Sequence, residues 1–236
     1  MNTLLLLGIN ALATFFLSST IENENNFPRR QDANEETFLQ KSDYVYSETG
    51  QLVEHFQNEK NEDRFFVLVD NDEKIEINLT GSKIIDSSSE IGYLARILAA
   101  EALIYEKDGF YYNISMFTRI CIAESIKNRK NSDFGFYKNY NSYRNIIFYT
   151  GYATNAKEFK ETHTWLKNTI AKKRFVEEVL PVAIYVYFND TYLTSGATGF
   201  ITPAKLTSDM YQRFQKRTII EIENIDPYYE FTFWKY

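Results

Sequence analysis

From residue 87 onward the apolar positions recur at helical spacing. Ile91, Leu94, Ala95, Leu98 and Ala102 fall three or four residues apart, which places them on one face of a helix. Ser87-Ser88-Ser89-Glu90 precedes them and reads as a capping box: Ser87 accepts the Glu90 amide and the Glu90 side chain reaches back. Asp108-Gly109 marks the stop. The same spacing predicts a second helix over about 114–129, with Ile114, Phe117, Ile120, Cys121 and Ile126 inward. It predicts a third over about 156–172 and a fourth over about 174–187, kinked or divided at Pro181. Ahead of the helices the period is two. Tyr44-Val45-Tyr46 and Leu52 to Phe56 flank a turn at Gly50, and Arg64 to Val69 and Lys74 to Leu79 flank Asp70 to Glu73. Ile75, Ile77 and Leu79 alternate with Glu76 and Asn78, so the two passages read as a small antiparallel sheet. Arg217 to Glu223 and Tyr228 to Trp234 read as closing strands. The fold class that follows is α+β, a mainly helical core with peripheral antiparallel hairpins.

The pattern also divides the chain. Leu4 to Leu17 is an apolar run followed by Ser18, Ser19 and Thr20, shorter than the roughly 20 residues that span a bilayer. Residues 1–20 are expected to be a signal peptide, the alternatives being an uncleaved anchor or a buried helix. Export to the periplasm, the cell envelope or the exterior follows from the first reading, with no stable membrane span. Residues 21–42 are rich in Asn, Glu, Gln and Arg and read as a polar linker. Residues 43–86 form the hairpin region, 87–205 the helical core, and 206–236 an extension packed on that core.

Composition narrows the functions. A net charge of −6 and a pI near 5.2 lack the basic footprint that a nucleic-acid binder needs. The single cysteine, Cys121, sits in an apolar run and reads as a small buried hydrophobe. His55 and His163 stand at no metal-ligand spacing, so neither a metal nor another cofactor is expected. No glycine-rich phosphate loop and no Gly-x-Ser-x-Gly elbow occurs. Carboxylates remain. On the first helix Glu101 falls in line with Leu94, Ile97 and Ile104. A carboxylate in an apolar stripe is paired, protonated or facing a cleft. Glu101 is therefore either half of an ion pair with Arg119 or Arg129, or a general acid raised in pKa by desolvation.

Three segments resemble the SleB-type cell-wall hydrolases. Ala95-Arg96-Ile97-Leu98-Ala99-Ala100-Glu101-Ala102 is similar to that family's Ala-Arg-x-(apolar)-x-x-Glu-Ala helix. Ala123-Glu124-Ser125-Ile126-Lys127-Asn128-Arg129 is similar to its Ala-x-x-(apolar)-x-Asn-Arg helix. Gly196-Ala197-Thr198-Gly199-Phe200, with Pro203 close behind, resembles its Gly-Ala-Thr-x-(aromatic) segment. The pieces stand in family order over about residues 91–205. The resemblance implies a lysozyme-like core, peptidoglycan as partner, and Glu101 as catalytic acid/base in glycan-strand cleavage by a lytic transglycosylase or muramidase-like route. Tyr111, Tyr112, Tyr149 and Tyr152, between the matched pieces, are candidates to stack on sugar rings. Gly196, Ala197 and Thr198 are candidates for close approach to substrate.

The chain departs from the family in three ways. Glu101-Ala102-Leu103-Ile104-Tyr105 stands where the family continues Glu-Ala-Arg-Gly-Glu, about nine residues are inserted before the Asn-Arg helix, and Gly199 replaces a histidine. Of the nearest other carboxylates, Glu106 and Glu124, Glu124 reads as a solvated residue. A non-catalytic cell-envelope binding protein with a degenerate lysozyme-like domain is the alternative that these departures leave open.

Overall fold

The computed structural model describes residues 38, 40–80, 87–102, 104–107, 110–132, 140–201, 218–222 and 231–235. The apolar run at 4–17, the polar stretch at 21–37 and the Leu103, 133–139 and 202–217 segments lie outside the described residues. Residues 36–236 belong to one compact unit.

At the centre is α1, Ser87–Ala102, buried on every side from Ser89 to Ala99. Ala95, Ala99 and Ala102 let neighbours come close, and Gly92 is closer still. A Cβ there would stand 1.9 Å from the Asn78 carbonyl oxygen, so only glycine allows this approach. Ile91, Leu94, Leu98, Ile126 and Ile120 are buried as their spacing predicts, whereas Phe117 is half-buried at the edge of the core. The Ser87 side chain lies outside the described ones. Glu90 Oε2 accepts the Tyr143 amide at 2.8 Å, so this carboxylate joins α1 to a later helix.

Around α1 pack α2 (Met116–Lys130), α3 (Tyr143–Tyr149), two single turns, α4 (Lys157–Lys160) and α5 (Thr162–Trp165), then α6 (Thr169–Arg174) and α7 (Leu180–Phe188). The predicted third helix is therefore three short ones. Ser115 caps α2 at Thr118, Ser142 caps α3 and Asn168 caps α6. The fourth divides near Pro181 as predicted. A π-turn over Phe175–Val179 widens the ladder there, the Leu180 amide reaching back to the Phe175 carbonyl. That turn takes up the strain a proline puts on the preceding carbonyls.

The N-terminal sheet differs from expectation. Its strands β1 (Ser42–Ser47), β2 (Leu52–Gln57), β3 (Arg64–Val69) and β4 (Glu73–Glu76) run in the order β2-β1-β3-β4. Both hairpins form, but they join through a parallel β1–β3 pair, with Tyr44 opposite Phe65 and Tyr46 opposite Val67. Two aspartates hold the crossing link. Asp43 accepts from Asn58 and pairs with Arg64, while Asp63 accepts the Ser42 amide at 3.1 Å. Nor is the sheet peripheral. Tyr44, Tyr46, Phe65 and Val67 lie in the same core as α1, and the Tyr46 hydroxyl donates to the Val176 carbonyl at 2.9 Å. Gly50, at φ +79°, abuts Pro181 so closely that a Cβ would stand 2.2 Å from its carbonyl oxygen.

A second hairpin, β5 (Ile104–Lys107) and β6 (Phe110–Asn113), links α1 to α2. The closing strands do pair, as β8 (Thr218–Ile220) and β9 (Thr232–Lys235). They also take in β7, Gly199–Ile201, in the order β7-β9-β8. The core segment and the C-terminal extension thus share a sheet.

Buried charge ties the sheet to α6. Lys172, 2% exposed in its side chain, donates to both oxygens of Asp63 and to the Gln40 carbonyl. Asp63→Ala strands that ammonium and should cost about 3–5 kcal/mol. Lys74→Ala removes an exposed pair with Glu54 and a 6.0 Å approach to the Phe56 ring, and should cost about 1 kcal/mol or less. Urea unfolding of the two variants measures the contrast. His55 stacks on Tyr44 with centroids 4.5 Å apart. Burial first, and Lys172 second, hold its pKa below the ordinary 6.5. The unfolded chain then binds this proton more readily than the folded one. The contribution of His55 to stability should be complete above pH 6.5 and fade as pH falls below it. An NMR titration of the His55 ring proton should place its midpoint under 6.5.

Candidate active site

Glu101 lies in the last turn of α1, half-buried. Its Oε1 accepts the backbone amide of Ala153 at 2.6 Å. The helix end beneath it is capped by Arg119. That guanidinium donates to the Ala102 carbonyl at 2.9 Å, to the Ile114 carbonyl at 2.8 Å, and to Glu178 at 3.0 Å. A cation at the free carbonyls of a helix C-terminus is favoured by charge as well as by hydrogen bonding. Five residues earlier on α1, the Arg96 guanidinium donates to the Phe159 carbonyl and lies 4.3 Å over that ring. One helix thus grips the 153–159 segment at two points.

The Asn-Arg end of α2 reaches the residues just before that segment. Arg129 Nη1 donates to Thr150 Oγ1 at 2.9 Å, its Cζ lies 4.9 Å over the Tyr152 ring, and its Nε donates to the Thr198 carbonyl at 2.5 Å. Asn128 donates to the Ala197 carbonyl at 3.1 Å and to Thr194 Oγ1 at 3.2 Å. Glu124, one turn earlier, is 1% exposed rather than solvated. Its carboxylate accepts the Leu193 amide at 3.0 Å, the Thr194 amide at 2.8 Å and the Thr194 hydroxyl at 2.5 Å. These three residues clamp the turn in front of Gly196, which stands at φ +80°. Beyond the turn, the Thr198 amide donates to the Trp234 carbonyl at 2.8 Å.

The candidate residues are placed as follows. Glu101 and Tyr152 come together. Tyr152 is half-buried between Arg129 and Phe200, the ring centroids of Tyr152 and Phe200 being 6.2 Å apart. Its hydroxyl is buried and makes no hydrogen bond among the described residues. Burial pushes that phenol up to about 12, Arg129 opposes the rise, and Glu101 adds to it. Ala197 is fully buried and Thr198 is 8% exposed, so both side chains face the interior. Tyr111 and Tyr112 stand on β6 and Tyr149 on α3, and their side chains lie outside the described ones. The β5 residue Glu106 stands likewise. Among the described residues no group of three or more His, Cys, Asp or Glu is placed to hold a metal, and no helix is long and apolar enough to cross a membrane. Burial raises the Cys121 thiol to about 12, which leaves it un-ionised at neutral pH. A hollow of about 390 Å³ opens elsewhere, between Arg64, Phe65, Ile77, Thr80 and His163.

Several contributors carry no pattern in sequence. The Ala153 amide is backbone. Thr150 and Trp234 stand far from the motifs they serve, and Gly151, at φ +86°, was the one local sign of a turn. Gly199 now has a physical reason. A Cβ there would meet the Trp234 ring at 2.4 Å and Arg129 Nη2 at 2.6 Å, so these two side chains fill the space that any larger residue at 199 would need.

Comparison of the chain with protein-family models, with curated proteins and with solved structures returns no match.

Glu124→Gln replaces one of two accepting oxygens with an amide nitrogen that faces backbone donors. It should destabilise the protein by about 1–3 kcal/mol, the cost of leaving a buried donor unsatisfied. Glu101→Gln keeps an oxygen for Ala153 and should leave stability nearly unchanged. Chemical denaturation of the two variants side by side checks the difference.

Proposed function

We propose that this chain cleaves the glycan strands of peptidoglycan, with Glu101 as the proton donor and acceptor, on a lysozyme-like core. The observation that carries the reading is convergence. Glu101, Arg129 and the Thr198–Phe200 stretch, from three separate resembling segments, all meet the single loop at 150–153. Sequence resemblance alone requires only their order along the chain; their meeting at one loop, whose Ala153 amide binds the half-buried Glu101 carboxylate, is an independent support. An exported, cell-envelope location goes with this reading.

The chemistry follows from a single carboxyl group. Glu101, protonated, gives its proton to the glycosidic oxygen as the bond from that oxygen to C1 breaks and positive charge develops at C1. The hydroxyl on C6 of the same muramic acid then attacks C1, and its proton returns to the Glu101 carboxylate. The products are a strand ending in a 1,6-anhydro sugar and a strand with a free hydroxyl, with no water consumed. If water attacks instead, the route is muramidase-like and a reducing end is left. Glu124 takes no part, because its oxygens are occupied by the 193–194 turn. A second reading rests on Gly199. With the space that a larger residue at 199 would need filled by Trp234 and Arg129, the domain binds cell-envelope glycan without cutting it.

Mass spectrometry of peptidoglycan incubated with the full chain separates these readings. Anhydro-ended or reducing-ended fragments should appear, and Glu101→Gln should lower their rate of release by about 10² to 10⁴ while the melting temperature holds. Undiminished release by that variant would overturn the assignment. Binding to peptidoglycan with no fragments from the native chain would favour the second reading.

A further inference from the structure

We propose that Arg129 and the strap Thr150–Ala153 form the positioning element that sets the orientation of the Glu101 carboxylate. The inference rests on Glu101 being the acid/base, and it gives the Asn-Arg end of α2 a task that its distance from Glu101 in sequence conceals.

The strap has two attachments. At one end Arg129 holds Thr150 through Oγ1 at 2.9 Å and the carbonyl at 3.5 Å, and covers the Tyr152 ring at 4.9 Å. At the other end the Ala153 amide donates to Glu101 Oε1 at 2.6 Å. Arg129 is itself fixed by the Thr198 carbonyl. A planar guanidinium serves this double duty because its donors lie in a rigid fork while its face stacks on an aromatic ring. Anchoring one carboxylate oxygen fixes the side-chain torsions, and with them the direction of the other oxygen. Proton transfer depends steeply on such placement, and a misplacement of about 1 Å can cost roughly 10²-fold in rate.

Gly151 supplies a clean probe. It stands at φ +86°, and a Cβ added there meets nothing within 4 Å. Gly151→Ala therefore strains the strap through its backbone alone and removes no contact. Arg129→Lys keeps the charge and loses the fork.

The test uses the full chain labelled with ¹⁵N-alanine. In the native protein the Ala153 amide proton should resonate downfield and shift with pH as Glu101 titrates. Glu101→Gln should abolish that titration. In Gly151→Ala and Arg129→Lys the titration should lose most of its amplitude, and kcat on peptidoglycan should fall about 10- to 100-fold with KM within about twofold. An Ala153 titration of native amplitude in both variants would overturn the proposal, as would a rise in KM at unchanged kcat. The titration is read without substrate. If the native chain cuts no glycan, the proposed function fails, while the amide signal still decides whether the strap orients Glu101.

Discussion

The arrangement hangs on the buried carboxylate of Glu124 rather than on that of Glu101. Glu124, 1% exposed, accepts three hydrogen bonds from residues 193 and 194. A charge so deeply buried is tolerable only with its acceptor sites filled, so wherever α2 goes this turn must follow. The turn delivers Ala197 to Asn128, Thr198 to Arg129, and then Gly199 to the edge of β9. Removing the Glu124 contacts would free the turn, then the strand, and finally the guanidinium that rests on it.

Two charged groups on α1 obey a different economy. Arg96 and Glu101 reach toward a single stretch of backbone, one offering donors to a carbonyl and the other accepting an amide. Such side-chain-to-backbone links add to the loop's own side-chain contacts, made by the Phe159 ring with Arg96 and by the Thr150 hydroxyl and Tyr152 ring with Arg129. The cost is borne by α1, which carries Arg96 and Glu101, as well as Ser89 and Glu90, on a helix otherwise lined with apolar residues.

How much could be read from the chain depended on the range of the interaction. The face of α1 was legible, because Ile91, Leu94, Leu98 and their partners repeat locally. So was the break at Pro181, though not its form as a π-turn. The third helix was misjudged as continuous, because its residues keep helical spacing while the backbone turns between Lys160 and Thr169. The parallel pairing of β1 with β3 was hidden, since it depends on the link held by Asp43 and Asp63 rather than on alternation. Glu124 was legible in principle: it follows Cys121 by three and precedes Asn128 by four, on the same side of α2. Its variable place in the resembled motif argued for solvent, and the backbone donors that reverse the argument come from 69 and 70 residues away. The Ala153 amide had no signature at all, because every residue but proline has one.

The contact of Tyr46 with Val176 spans 130 residues. During synthesis the strands over 42–76 leave the ribosome long before α6 and the π-turn that cover them. For that interval Tyr44, Tyr46, Phe65 and Val67 have no lid, and of the two ammonium groups that pair with Asp63 only Lys41 has been made, the buried Lys172 not yet. A nascent chain of this design exposes an apolar sheet face and unpaired strand edges at the moment when neighbouring chains are closest. Its folding depends on a late, non-local closure rather than on the early strands alone.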